Sequence, residues 1–506
     1  MNNNIESRIR SINGMDLIRT AEEAAEYIED GMVLGVSGFT PADDPKAVPY
    51  ALVKRVKNGE KIRVDVLAGG ALGIMDQELS SVGALRKRLA FTHNTTVRRK
   101  INGGEVLFSD VHLSIFSQLV SYNFLPKIDI AIVEVLAIDE NGDLIPSIAV
   151  GSTDVIVENS EKVIVEIALN KPMKMEGMHD IYHLPNPPER KEIPIYRPED
   201  RIGSGVIRCG WEKIQAIVLS EYEDMPHKMS ETDEVSKKIA DNVLRFLLSE
   251  IESGRLPETL PPLQSGLGNV ANAILKCLKE SELMGLTAYT EVIQDGMLDL
   301  IDSGKMSFAS ACCLVLSKDG YKRFYDNIDF YRDKIMLRSL EISNNPEVIR
   351  RLGVVSVNTA LEADIYGNVN STHVMGKRIV NGIGGAGDFS RASMISIFTT
   401  PSTAKDEKIS CIVPMCSHVD QTEHDVDVLI TEYGVADLRG LSPKERAVRI
   451  IEKCAHPSYR CKLKDYFERA VEESPCQTPH LLREALSWYV AYEENGTMKD
   501  LAGDRG

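Results

Sequence analysis

Short apolar runs rich in β-branched residues constrain this chain more than any other feature. They include MVLGV (32–36), IRVDVLA (62–68), IDIAIVEVLA (128–137), KVIVEIA (162–168) and IQAIVLS (214–220). SFASACCLVLS (307–317), VVSVNTALEAD (354–364), ISCIVPM (409–415) and VDVLITEY (426–433) follow. Strands this continuously apolar are buried on both faces, and amphipathic helical stretches separate them. That alternation predicts α/β architecture with mostly parallel sheets. At roughly 100–200 residues per domain, 506 residues predict more than one domain.

The helices carry their own start and stop signals. Ser442-Pro443-Lys444-Glu445 offers an N-cap serine, a proline at the first helical position and a reciprocal glutamate. Apolar spacing predicts another helix over about 231–253, closed by Gly254, and a last one within TPHLLREALSWYVAYEE that packs on the final domain. The polar, proline-containing stretch EYEDMPHKMSETDE (221–234) follows a proline-rich loop over 182–200 and marks the best boundary. Two α/β domains result, 1–225 and 226–506. Each holds a small-residue loop running into a helix, VSGFTPADDPKAVPYAL and SGLGNVANAILKCL, a weak echo suggestive of duplication.

Composition removes several function classes. Hydrophobic residues are 43% and charged ones 26%, so the chain is globular rather than disordered or fibrous. Acidic side chains number 75 against 58 basic, a formal charge of −17, and so negative a chain repels nucleic acid and anionic membranes. Any anionic ligand then needs a local site. No apolar run of about 18 residues appears, and the polar opening MNNNIESRIRSING lacks the apolar core of a signal peptide. The nine cysteines are an odd set without zinc-type pairing and read as reduced, buried thiols. The expectation is a cytoplasmic protein with neither membrane nor nucleic-acid partner.

Four segments could carry chemistry. Asn381-Gly-Ile-Gly-Gly-Ala-Gly-Asp388 satisfies G-x-G-x-x-G, but an apolar run resumes about six residues later and leaves no room for a three-turn dinucleotide helix. A tight turn, or a loop whose backbone N–H groups receive an oxyanion, remains. In LTAYTEVIQDGMLDLIDSG (286–304), Glu291 ends a short apolar run before a helical segment, where ligands bind in open α/β sheets. Spacing alone favours the plainer reading, a solvated glutamate or one facing a helix dipole. Leu263 to Val270 is a small-residue loop opening a helix, suited to phosphate oxygens or to nothing beyond helix entry. His418 and His424, six apart, would not share a helix face, so no metal is expected. Neither a P-loop nor a serine-hydrolase elbow is present.

Taken in order, these segments resemble the acetyl-CoA hydrolase/transferase family of class I coenzyme A transferases, particularly its succinyl-CoA:acetate and butyryl-CoA:acetate type. The likeness runs through GVSGFTPADDPKAVP, GSTDVIVENS, SGLGNVANA, YTEVIQDGMLDL, SNNPEVIRRLG, GIGGAGDF and SHVDQTEHDVDVLITEYGVADLRGLSP. It implies two related open α/β domains with the active site in the cleft between them. It makes Glu291 the nucleophile and Gly385 the oxyanion glycine. Gly266, Leu267, Gly268, Asn269, Val270, Leu361, Asn381, Gly385 and Lys405 become CoA contacts, Lys405 meeting the charged end, and Asn344 faces the acyl group. The implied activity transfers CoA from a short-chain acyl-CoA to a carboxylic acid such as acetate, succinate, propionate or butyrate, through a glutamyl-CoA thioester. CoA enters as substrate with no tightly bound cofactor, and a homodimer is compatible with the family. An acyl-CoA hydrolase using the same glutamate is the first alternative, and a non-enzymatic CoA-binding regulator the second. His93, His112 and Glu432 receive no assigned role, though Glu432 fits a supporting one.

Overall fold

The computed structural model of the chain describes residues 5–226 and 232–499. Two compact units form: Met1–Met229 with Thr287–Leu352 and Gly382–Asp388, and Ser230–Leu286 with Gly353–Asn381 and Phe389–Gly506. The first division lies close to the expected boundary at 225/226. The expectation that everything after it belongs to one C-terminal domain needs correcting, because two later segments return to the first unit. Hydrogen bonding gives the reason. Strand Met306–Ala311 pairs in parallel with Ile335–Arg338, and that strand pairs with His179–Asp180 from the N-terminal half. Leu314 N also donates to Ile148 O at 2.9 Å, and Val150 N to Cys312 O at 2.9 Å. The segment bearing Glu291 is therefore part of the first unit.

That unit is built on a seven-stranded sheet, ordered Ile214–Ser220, Ser160–Ala168, Ile128–Val135, Val33–Val36, Val64–Leu67, Leu85–Leu89, Leu107–Ser109. Every neighbouring pair is parallel. The chain starts at the central strand, winds outward to one edge, then crosses over and winds to the other. Leu85–Leu89, sequence LRKRL, carries three cations among five residues and gave no apolar signal. Its Arg88 is nonetheless fully buried, its guanidinium donating to Asp76 Oδ1 at 2.8 Å.

A ligand crevice in such a sheet is expected where the strand order reverses, beyond the ends of Val33–Val36 and Ile128–Val135. Here the protein fills it with its own charges. Lys46 Nζ lies 2.6 Å from Glu134 and 2.8 Å from Asp224. Lys171 Nζ lies 2.6 Å from each of the same two and also pairs with Asp43. Asp43, Glu134 and Asp224 are the one carboxylate group among the described residues spaced closely enough to hold a metal ion, and both lysines already occupy it. Next to it, the GFTPADDPKAVP loop leads into helix Ala47–Lys57 as its composition suggested. Buried Glu166 caps that helix by accepting from the N–H groups of Lys46, Ala47 and Val48 at 2.8–3.0 Å.

The main run of paired strands in the second unit is ordered Gly434–Asp437, Val428–Thr431, Ile395–Thr399, Val355–Thr359, Leu263–Ser265, parallel except for the first pair. Its predicted helices form. Pro443–Lys453 has its capping box between Ser442 and Glu445. Glu234–Glu252 starts from an Asp233 cap, and Gly254 follows it in the left-handed region. Residue 231, where that helix was expected to begin, lies outside the described residues, as does 227–231 of the proposed linker. The terminal stretch contributes a shorter helix, Ser487–Asn495, whose Trp488 and Tyr489 join Tyr366, Phe398, Ile450 and Tyr459 in the core. All nine cysteines are unpaired; five are buried, while Cys461 and Cys476 are exposed against the expectation for buried thiols. Among the described residues no helix is long and apolar enough to cross a membrane.

Candidate active site

Glu291 follows the strand Leu286–Tyr289, of which Leu286, Ala288 and Tyr289 are buried in the core. Its backbone is pinned, because Cys312 donates to Glu291 O through both its N–H (3.0 Å) and its thiol (3.1 Å). Helix Asp295–Asp302 begins immediately afterwards. The Tyr289 hydroxyl donates to Ile342 O at 2.5 Å and ties this strand to the turn that presents Asn344. The backbone position is thus rigid, while the Glu291 side chain is half-buried.

Asn344 is fully buried and donates from Nδ2 to Glu291 Oε2 at 2.8 Å. Its other amide atom, Oδ1, accepts from the Ser343 hydroxyl at 2.9 Å, and this fixes which end of the amide faces the carboxylate. Gly385 lies against the same pair. A Cβ there would overlap both Glu291 Oε2 and Asn344 Nδ2, so only glycine permits the approach. The glycine-rich loop is held from the first unit's own 110–114 segment. Asp110 Oδ2 accepts from Ile383 N at 2.7 Å, and Leu113 N donates to Gly384 O at 3.3 Å. Asp388 Oδ2 accepts from Ser114 N at 3.0 Å and Oδ1 from Ser114 Oγ at 2.6 Å. Gly387 leaves room for the His112 ring, which a Cβ would strike. A one-turn helix, Ala386–Ser390, follows the loop before strand Ile395–Thr399, as the short spacing required.

The electrostatics suit a carboxylate kept reactive. Burial pushes the Glu291 carboxyl up to about 7; the Asn344 hydrogen bond opposes this and the Asp388 charge adds to it. Burial likewise lifts Asp388 to about 6, against the two bonds from Ser114. Near neutral pH a substantial fraction of Glu291 is ionised, yet poorly solvated.

The other candidate residues belong to the second unit. Gly266, Leu267 and Gly268 lead into helix Asn269–Glu280, whose Val270 is buried. Gly268 has φ 122°, and a Cβ on Gly266 or Gly268 meets nothing within 4 Å, leaving open space over the helix N-terminus. Leu361 N donates to Asn370 O at 2.8 Å and Asn381 N to Thr372 O at 3.3 Å, so one segment braces both. Exposed Lys405 lies at the tip of the hairpin Thr403–Ala404 with Ile409–Ser410. Glu432, unassigned from sequence, anchors that hairpin by accepting from Ser402 N at 2.9 Å and Ser402 Oγ at 2.5 Å. His93 is exposed beside Phe91, with rings 6.0 Å apart.

Sequence reasoning missed Asp110, Ser114 and the part played by Asp388. The last was readable as an acid closing a glycine loop. No local signal marks Asp110 or Ser114, whose partners lie more than 270 residues away.

Comparison with known proteins gives the family. Residues 13–203 match the acetyl-CoA hydrolase/transferase N-terminal domain and residues 320–467 the C-terminal domain of that family. The chain is 50% identical over 496 residues to the succinyl-CoA:acetate CoA-transferase of Clostridium kluyveri, covering 98% of this chain and 92% of that protein. It is 41% identical over 514 residues to the acetyl-CoA hydrolase of Candida albicans, covering 98% of each. Among solved structures, RipA from Yersinia pestis shares the fold at TM-score 0.70 and 22% identity, over 92% of this chain and 98% of that one. With both domain matches in place and likeness along nearly the whole chain, this protein belongs to the acetyl-CoA hydrolase/transferase family of enzymes.

Proposed function

We infer that the chain transfers CoA from a short-chain acyl-CoA to a carboxylic acid of the acetate, succinate, propionate or butyrate class, using Glu291 as nucleophile. One observation carries this reading: a half-buried glutamate held at 2.8 Å by a buried, orientation-locked amide, beneath a glycine that fits only without a side chain. The name of the Clostridium relative supports it.

The chemistry follows from that geometry. Ionised Glu291 attacks the thioester carbonyl, breaking the C–S bond to give an acyl-glutamyl anhydride and CoA thiolate. The thiolate then attacks the glutamyl carbonyl; the acyl carboxylate leaves and a glutamyl-CoA thioester remains. An acceptor carboxylate runs both steps in reverse and regenerates Glu291. When the glutamyl carbonyl becomes tetrahedral, charge develops on its oxygen, where the Asn344 N–H is already aimed. One such donor is worth roughly 2.7–4 kcal/mol in comparable sites. CoA enters as substrate and no resident cofactor is required. The open glycine loop over the Asn269–Glu280 helix, with Leu361, Asn381 and Lys405, supplies its contacts. Binding energy from the distant part of CoA offsets the poor nucleophilicity of a carboxylate. Nine unpaired thiols support a reducing, cytoplasmic setting.

The hydrolase name of the Candida relative favours a second reading, in which water intercepts the same intermediate. Intact mass after mixing with acyl-CoA tests the first: a CoA adduct on Glu291, lost with activity on borohydride treatment, is expected. Absence of the adduct overturns it. CoA release that ignores added carboxylate would establish the hydrolase instead.

A further inference from the structure

Asn344 donates in two directions, to Glu291 Oε2 at 2.8 Å and to Asp388 Oδ2 at 3.4 Å. The second acid is itself immobilised: Ser114 binds both of its oxygens, at 3.0 and 2.6 Å, and only 4% of the residue is exposed. All three acceptor bonds come from neutral groups. Asp388, once ionised, thus places a negative charge beside the amide that faces the nucleophile, and no ion pair among the described residues neutralises it.

We propose that Asp388, braced by Ser114, is the positioning residue of this site, holding the Asn344 amide onto Glu291 and setting the charge that the nucleophile feels. The proposal rests on the transferase reading above. Acting only through Asn344 and through space, Asp388 needs no contact with substrate. The other titratable groups facing Glu291 are the thiols of Cys312 and Cys313, both raised by burial and therefore neutral at ordinary pH. His112 faces Asp388 instead, its ring packed where Gly387 lacks a side chain.

The two obvious substitutions separate brace from charge. In D388N the amide keeps an oxygen for Ser114 N and Asn344 Nδ2, while its NH2 donates to the Ser114 hydroxyl, which turns to accept. The brace survives and the charge goes. D388A removes both. CoA transfer by wild type, D388N and D388A is followed from about pH 5 to about pH 9 to obtain separate kcat and KM profiles. In D388N the acidic limb of kcat/KM moves to lower pH, because a like charge beside Glu291 has gone. In D388A kcat falls about tenfold with KM for acyl-CoA little changed, and D388N recovers most of that loss. An unshifted acidic limb in D388N, or a defect confined to KM, overturns the proposal. If D388A does not fold, D388N still decides it. Intact mass of wild type mixed with acyl-CoA, without borohydride, runs alongside. Absence of the CoA adduct defeats the transferase reading itself, whereas a formed adduct with unaltered Asp388 variants defeats only this inference.

Discussion

One unit of this protein holds two sets of carboxylates and satisfies them with different partners. At the switch point of its sheet, Asp43, Glu134 and Asp224 meet two lysine ammoniums. Burial pushes Asp224 up, but Lys171 and Lys46 outweigh it and bring the carboxyl down to about 2. With three carboxylates sharing two lysines, Glu134 is the one that most readily takes a proton, because burial lifts it to about 7 against the same lysines. At the candidate active site, Glu291 and Asp388 receive only amide, hydroxyl and backbone donors, and both are raised. Two cations hold Asp224 ionised in place, whereas Glu134, one of three carboxylates sharing two lysines, stays raised. At Glu291 donors without charge leave the carboxyl titratable near neutral pH and available as a nucleophile.

Predictions can break this contrast, beginning with the largest effect. E291Q should lower CoA transfer by about ten-thousand-fold and abolish adduct formation by mass, as loss of a nucleophile does elsewhere. Next, K171M leaves Asp43, Glu134 and Asp224 short of a partner and should destabilise the fold by about 3–5 kcal/mol in urea unfolding, with kcat of the remaining folded protein largely kept.

The third uses E291Q as a stability probe. The folded pKa of Glu291 is raised, so its contribution is most favourable below its unfolded value and is lost as pH rises through about 7. E291Q should therefore gain up to about 3 kcal/mol over wild type at alkaline pH, and the gain should shrink towards zero in acid. A constant gain across pH would mean Glu291 titrates normally. The wild-type rate should correspondingly fall as pH drops through about 7. G385A comes fourth: the added methyl meets Glu291 and Asn344, and displacing either by about 1 Å should cost about a hundredfold in kcat. Smallest is salt. With a formal charge of −17, and with the proposed reading meeting CoA phosphates through a few local contacts, CoA affinity should change less than about threefold between low and physiological salt. A steep decline would overturn the local-site picture, and an unchanged affinity in K405A would remove Lys405 from the site.

Much of this was legible from residues near one another in the chain. The apolar runs at 128–137, 162–168 and 214–220 became buried parallel strands, and Ser442 to Glu445 became a capping box. Strands such as LRKRL were not legible, because their charges are satisfied by residues the local pattern does not reveal: Arg88 by Asp76. The return of 287–352 to the first unit also escaped, since parallel pairing with His179–Asp180 leaves no trace in spacing. Resemblance brought Glu291, Asn344 and Gly385 together in advance. Asp110 and Ser114 had no such marker.

The apolar runs, punctuated helices and ordered motifs determined that the chain is an α/β protein of one particular family. Those signals are local: side-chain period, backbone preference and small-residue loops act within a few residues. The character of Glu291 was decided only by tertiary structure. A glutamate has an ordinary acidity until burial, an amide 53 residues away and a carboxylate held by Ser114 from 274 residues away set its solvation and its field. Those quantities depend on distance in space, which the order of residues does not record.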